Sequence, residues 1–387
     1  MQLTLYDSHK NRYRSGDMVL HGVLVLAVFF CTTNKLVGFP LDKLFFFLIL
    51  GTIAVSRPRD SMFTSGEFLM IMSLFTLAAL STAVNLTFSP MIFFPTLGVA
   101  FALLVRRHPR MLISALYYAL ALHMIFAIIF VVMAFAGVET NFVWSLREKG
   151  LPFVFAARGF TPTVQTFGTL CILWLIIYLL RRQFYPQTFM DKCLFLINTL
   201  AILITLNRST YVFWMIIVFF RVRKLFWLII IFLIGFVIRF WEAIIGFLGN
   251  KGSLEARSEL LEGFNLSFWG SNSILVYIFG KGTNQLPPDI LAKVKWDYRT
   301  DIENGYAMLL HTYGFLGLIF YISLSVFFIF QFVKMKKWAE VAILFYFFFV
   351  SPYFTQEFVS TSFYLFLSVM ILIHDFYAGK YTNTYDK

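Results

Sequence analysis

Apolar residues in this chain gather in long runs, and polar residues are confined to short segments between them. Runs occupy roughly 18–33, 43–56, 67–85, 91–105, 112–137, 163–180, 190–206, 210–220, 225–248, 305–333, 338–351 and 360–377. A helix that crosses the hydrocarbon core of a bilayer needs about 20 predominantly apolar residues. The pattern therefore predicts an all-α polytopic integral membrane protein with about twelve transmembrane helices. The shortest run, YVFWMIIVFF at 211–220, has to borrow from its flanks or tilt within the bundle.

Composition agrees with this reading. Hydrophobic residues make up 59% of the 387 residues and charged ones only 13%, and the mean hydropathy is +0.77. A soluble domain cannot hide that much apolar surface, so the bilayer is the solvent. No long polar or Pro/Ser-rich stretch divides the chain, which predicts a single membrane domain over 1–387. The polar, basic N-terminus MQLTLYDSHKNRYRSGD lacks a small-residue cleavage site and reads as the lead-in to a retained first span.

Charge then sets orientation. Alternate loops carry KNRYR (10–14), RPR (57–59), RRHPR (106–110), RRQFYPQTFMDK (181–192), RVRK (221–224), KMKK (334–337) and a tail with Lys380 and Lys387. These segments hold 19 of the 32 Lys and Arg residues, so the positive-inside rule puts them and both termini on the cytoplasmic side. The net charge of +12 is thus spent on topology, and no nucleic-acid partner is implied. The opposite, outer face receives 34–42, 86–90, 138–162, 207–209, 249–304 and 352–359. Two of these are larger loops: 138–162, and the long polar stretch 249–304, of a length that is usually functional or disordered, with disorder disfavoured by its content. Within it, SLEARSELLEGFNLSFW (253–269) has helical apolar spacing, with Leu254, Leu260, Leu261 and Phe264 available to one side of an amphipathic helix lying on the membrane surface.

Several chemistries lack their parts. There is no GxxxxGK[ST], HExxH or GxSxG, no acidic cluster suited to a metal, and Cys31, Cys171 and Cys193 lack metal spacing. What remains is a set of cations and carboxylates on one side of a membrane. Arg208, in TLNRSTY, fits either an interfacial anchor or a guanidinium gripping a phosphate bidentately. Arg239 and Glu242 suit an intramembrane ion pair. Arg257 and Arg299 lie in the long loop, with Lys281, Lys293 and Lys295 beside them. Asp301 and Glu303 precede the run at 305 and fit either helix capping or acid–base work. Asn304 and His311 lie seven residues apart, nearly two helical turns, and share a helix face. Such a set suits a reaction with an anionic leaving group and a hydroxyl to deprotonate.

Three local patterns, NRST (207–210), EARSELLEGF…YIFGKG (255–282) and DIENGYAMLLHTYGFLG (301–317), occur in this order on the outer face. With the twelve-span topology and the two periplasmic loops, they resemble the O-antigen polymerase (Wzy) family, which stands with the O-antigen ligases in a wider polysaccharide polymerase and ligase group. Ligases lead the last pattern with a histidine, whereas carboxylates stand there in this chain. The resemblance implies polymerisation of undecaprenyl-diphosphate-linked oligosaccharide repeat units into O-antigen at the periplasmic face, with no metal or cofactor. It implies Arg208, Arg257 and Arg299 at the diphosphate, Asp301 or Glu303 as base, and Arg147, Arg158, Asn304 and His311 as substrate contacts. Trp144, Trp269 and Trp296 are candidates for stacking on sugars. A chain-length regulator is an implied partner besides membrane lipids. The alternatives are an O-antigen ligase acting on lipid A core and a lipid-linked oligosaccharide flippase.

Overall fold

A computed structural model describes residues 15–33, 41–55, 63–86, 89–105, 109–138, 140–146, 151–182, 186–221, 227, 230–231, 259–294, 302, 304–353, 358 and 360–379. Every apolar run except 225–248, which lies almost wholly outside the described residues, is helical. The helices are α1 (Ser15–Cys31), α2 (Leu41–Val55), α3 (Ser65–Asn85), α4 (Phe94–Leu104, preceded by a 3-10 turn), α5 (Pro109–Phe135), α6 (Val164–Arg181), α7 (Phe189–Ile204) and α8 (Arg208–Arg221). After them come α9 (Ile274–Phe279), α10 (Pro288–Val294), α11 (Gly305–Lys334), α12 (Trp338–Phe345) and α13 (Thr361–Tyr377). Among the described residues four helical stretches are long and apolar enough to cross a membrane, Ser65–Asn85, Leu112–Phe135, Val164–Arg181 and Gly305–Lys334, and shorter apolar helices accompany them.

Capping chemistry written in the sequence starts several of these helices. Thr64 and Glu67 form a capping box on α3, and Thr188 and Asp191 form one on α7. Thr163 caps α6 and Ser360 caps α13. Each side-chain oxygen takes a backbone N–H that the first helical turn leaves unpaired.

A helix that is apolar on all sides belongs inside a bundle. α6 and α13 are such helices, buried over nearly their whole circumference. Trp174 of α6 stacks between Tyr117 and Tyr178, and its indole N–H donates to the Tyr117 carbonyl at 3.0 Å. The Tyr117 hydroxyl donates to Asp191 at 2.6 Å, which ties α5 to α7. On α13, Phe366 stacks on Phe347 with ring centroids 3.8 Å apart. Helices α3 and α11 instead turn apolar side chains outward, among them Phe68, Leu69, Ile319, Val326 and Phe327. An exposed apolar surface of that extent is what a membrane-embedded protein shows to lipid.

The structure amends the all-α expectation at one place. Within the loop 138–162, Val143–Leu146 (β1) and Leu151–Ala157 (β2) pair antiparallel, Val143 opposite Ala157 and Trp144 opposite Ala156. Phe160, just beyond β2, is buried in a cage of Phe29, Phe126, Phe130 and Phe142, which fixes the hairpin to α5. The hairpin was hidden because strand pairing inside a short polar loop leaves no long periodic pattern.

At the opposite end of the bundle, α8, α12 and α13 meet through one buried carboxylate. Glu340 accepts from the Arg221 guanidinium and, at 3.0 Å, from the Tyr377 hydroxyl. Removing one partner of a buried ion pair strands the other charge, at about 3–5 kcal/mol. Glu340→Ala is therefore expected to lower the melting temperature of the detergent-solubilised protein markedly, and Glu340→Gln by less. Equal melting of both variants and the parent would remove this pair from the list of forces that hold the bundle.

Candidate functional site

The site is built on a break in α11. Asn304 stands at its N-cap, and its side-chain oxygen accepts from the N–H groups of Tyr306 and Ala307, both at 3.0 Å. Nearly three turns later the helix is interrupted at Gly314, which has φ 66° and ψ −163°. A left-handed φ of this kind is cheap only for glycine. The interruption leaves the carbonyls of the preceding turn without intrahelical partners, and in an apolar bundle such groups must find donors.

The long loop between α8 and α11 supplies them. Its turn Gly280–Lys281–Gly282 follows α9 and lies across the break: the Lys281 N–H donates to the His311 carbonyl at 2.5 Å and the Gly282 N–H to the Thr312 carbonyl at 3.1 Å. The Ser81 hydroxyl of α3 donates to the same Thr312 carbonyl at 2.7 Å. Asn85, at the end of α3, donates to the Gly280 carbonyl at 2.8 Å and so holds the turn from its other side. Backbone approaches backbone so closely that neither glycine has room for a side chain. A Cβ on Gly280 would lie 2.4 Å from the Thr312 carbonyl carbon, and one on Gly314 would lie 2.4 Å from that of Ile278.

Beneath this crossing lies a polar cluster. The imidazole of His311 is fully buried, with Nδ1 2.6 Å from the Thr283 carbonyl and Nε2 2.9 Å from Ser267 Oγ. Lys281 Nζ donates to the same Ser267 Oγ at 3.1 Å. Burial pulls the Lys281 ammonium below the ordinary lysine range, and the carboxylate of Asp289 opposes that pull. Ser267 comes from a helix at 259–264 that continues as a π-helical turn, Asn265–Trp269. Leu260, Phe264 and Phe268 point into the protein, with the Phe264 ring centroid 6.3 Å from that of His311, whereas Leu261 is exposed. The segment thus packs inward along i, i+4, i+8, and this corrects the expected grouping of Leu260, Leu261 and Phe264 on one side.

Other sequence-predicted residues stand elsewhere in the described structure. Arg208 is the exposed first residue of α8; Asn207 Oδ1 caps that helix by accepting from the Ser209 N–H at 3.1 Å. The Ser209 carbonyl accepts from Tyr346, which opens a π-helical turn, Tyr346–Val350. A wide turn frees carbonyls, and Tyr306 and Tyr321 of α11 both donate to that of Phe348. One wide turn therefore links the N-terminal ends of α8 and α11. Asn304 also reaches the Tyr353 carbonyl at 3.5 Å.

Arg158 follows β2, where its guanidinium donates to the Asn141 carbonyl and lies 6.0 Å from the Trp144 ring, so its partners belong to the hairpin. Burial lowers the affinity of that guanidinium for its proton. Trp269 is half exposed beside Tyr277 and Phe315. Asp301, Glu303, Arg147, Arg257, Arg299 and Trp296 lie outside the described residues, as do Arg239 and Glu242. Among the described residues no group of three or more His, Cys, Asp or Glu gathers as a metal site.

The sequence reading passed over Ser267, Thr283, Ser81 and Asn85. The available signal was the pairing of two glycine turns, FGKG and TYGFLG, one polar and one inside a span; both require a partner backbone. Comparison of the chain with protein-family models, with curated proteins and with solved structures found no match.

The crossing generates a prediction. Gly280→Ala and Gly314→Ala each combine a strained φ with a backbone clash, for an expected cost of about 2–4 kcal/mol apiece. Both variants should expose the segment 259–294 to protease in membrane preparations. Parental resistance in both would mean that the turn does not depend on this contact.

Proposed function

We propose that this protein is a bacterial inner-membrane glycosyltransferase that polymerises undecaprenyl-diphosphate-linked oligosaccharide repeat units into O-antigen or a related surface polysaccharide at the periplasmic face. About twelve spans, with both termini cytoplasmic, complete the reading, and the sequence resemblance described above motivates it. The observation that carries it is the docking of the long loop on the broken helix. Through the Gly280–Gly314 crossing, the loop that bears Arg257 and Arg299 in sequence is tied to the helix that Asn304 opens.

On this reading the growing glycan leaves its lipid diphosphate as the sugar–phosphate bond breaks, and the hydroxyl of the acceptor sugar replaces it. Negative charge develops on the departing diphosphate, and cations placed beforehand stabilise it better than mobile water does. Arg208, Arg257 and Arg299 are assigned to that anion, because a guanidinium meets phosphate oxygens through two parallel N–H bonds. Glu303 or Asp301 takes the acceptor proton, and Arg147 and Arg158 contact the substrate from the first loop. The diphosphate already activates the donor, so the chemistry requires no cofactor. Membrane lipids surround the protein, and a chain-length regulator is its proposed protein partner.

A flippase is the reading that the broken helix itself brings forward, because interrupted helices line the midplane sites of many transporters. In those sites the freed backbone groups face a cavity. Here the His311 and Thr312 carbonyls accept from Lys281, Gly282 and Ser81, so the break is filled by protein. That favours a fixed loop platform over an alternating cavity. A ligase shares the chemistry and differs in its acceptor.

Deletion of the gene in its host, followed by electrophoresis of lipopolysaccharide, separates the three. A polymerase leaves core carrying one repeat unit and no ladder; complete loss of O-antigen would indicate a ligase or flippase. Arg257→Ala and Glu303→Gln in stable, membrane-inserted protein are expected to abolish extension, by about a hundredfold or more if each acts on the reacting groups. A normal ladder from both would refute these assignments.

A further inference from the structure

The long loop turns one of its faces away from the protein. Phe264 and Phe268 point inward, but Leu266 and Trp269 of the π-helical turn and Ile274 and Leu275 of α9 are exposed. The Tyr277 hydroxyl donates to the carbonyls of Trp269 at 2.9 Å and of Ser271 at 2.7 Å, so these two short elements form one unit. The Trp269 ring lies 5.9 Å from that of Phe315, the first residue of α11 beyond the break. Phe315 in turn heads a stripe of exposed apolar residues, Phe315, Ile319, Ile322, Val326 and Phe330, that runs along one face of α11. The exposed face of the loop is therefore continuous with the surface that α11 shows to lipid.

Helix length sets the level at which the two surfaces meet. Lys334 ends α11, and Lys336 and Lys337 follow it, so the hydrocarbon stops there. From Phe315 to Val333 about 19 helical residues rise about 28 Å, close to a hydrocarbon thickness of about 30 Å. The opposite boundary thus falls at Phe315 and the glycine break. Helix α3 gives the same level independently. It has 21 residues, a rise of about 32 Å, and Asn85 at its end donates to the Gly280 carbonyl at the crossing.

We propose that the face formed by Leu266, Trp269, Ile274 and Leu275 is a phospholipid contact that seats the loop in the interfacial layer of the bilayer, with the Trp269 ring at the hydrocarbon boundary. This requires only that the protein is embedded in a membrane and is independent of the glycan chemistry. The make-up of the face fits that layer: Glu262, Asn265, Asn272 and Ser273 are exposed among the apolar residues, as suits a surface that meets headgroups as well as acyl chains. Tryptophan concentrates at that depth because its ring is apolar and its N–H polar. The side that meets lipid is the one opposite Leu260 and Phe264, which pack inward.

The test places nitroxide labels on the full chain in phospholipid nanodiscs, in a Cys193→Ser background, since Cys31 and Cys171 are buried. Collision with oxygen, which partitions into acyl chains, is compared with collision with a nickel chelate, which stays in water. Labels on Leu266→Cys, Trp269→Cys and Ile274→Cys are expected to keep oxygen access and to meet the chelate about fivefold less than the label on Gln285→Cys, an exposed polar position of the same loop. The label on Val326→Cys, midway along α11, should lie deepest. Chelate access at the three loop positions equal to that at Gln285→Cys overturns the proposal by placing the face in water. Exclusion of both reagents also overturns it, by showing that a second copy or another part of the chain covers the face. Chelate access at Val326→Cys overturns the premise that α11 lies in lipid, and the proposal with it. If Trp269→Cys does not insert, the labels on Leu266→Cys and Ile274→Cys decide the depth by themselves. Chain extension is not read in this experiment, so its outcome stands apart from the polymerase reading.

Discussion

A helix interrupted inside an apolar environment must find donors for the carbonyls it frees, and much of the described structure around α11 follows from how that demand is met. The break at Gly314 opens the His311 and Thr312 carbonyls, and the Lys281 and Gly282 N–H groups close them. Each buried carbonyl left open would cost about 1–3 kcal/mol, so the loop and the helix stabilise each other's irregularity. Glycines at 280, 282 and 314 permit the left-handed φ values of 75°, 71° and 66° that both irregular segments need, and the loop's N–H groups replace the ladder bonds the helix has lost.

That mutual dependence gives the protein a rigid platform where a loop would otherwise move freely. Asn85 and Ser81 bring the end of α3 to the same point, and Tyr306 and Tyr321 bring the wide turn at Tyr346–Val350. Charged groups that act on a phosphate gain most when they are held in place before the charge develops. On the proposed function, the fixed crossing of the loop with the broken helix is a means of holding such groups. The wide turn extends the same device toward α8 and Arg208, because Tyr346 reaches the Ser209 carbonyl.

His311 shows how context changes the meaning of a residue. As a sequence feature it shares a helix face with Asn304 and invites a role in contacting substrate. In the fold its ring is enclosed, both nitrogens are taken by the loop, and its carbonyl anchors Lys281. The interaction that matters runs between residues far apart in sequence: His311 with Ser267 and Thr283, Thr312 with Ser81.

The sequence by itself determined where the helices lie, because a run of apolar residues in a bilayer has no alternative to satisfying its backbone internally. It also determined how several of them begin, through Thr64, Thr163, Thr188 and Ser360, since a cap is a local contact across three residues. Only the tertiary structure decided that α11 breaks at Gly314, that the turn Gly280–Lys281–Gly282 is the partner of that break, and that β1 and β2 pair as a hairpin. In each case the reason is the same. Glycine permits a left-handed φ and a close backbone approach, but whether it uses them depends on a second segment arriving with the right donors, and a local pattern carries no record of that segment.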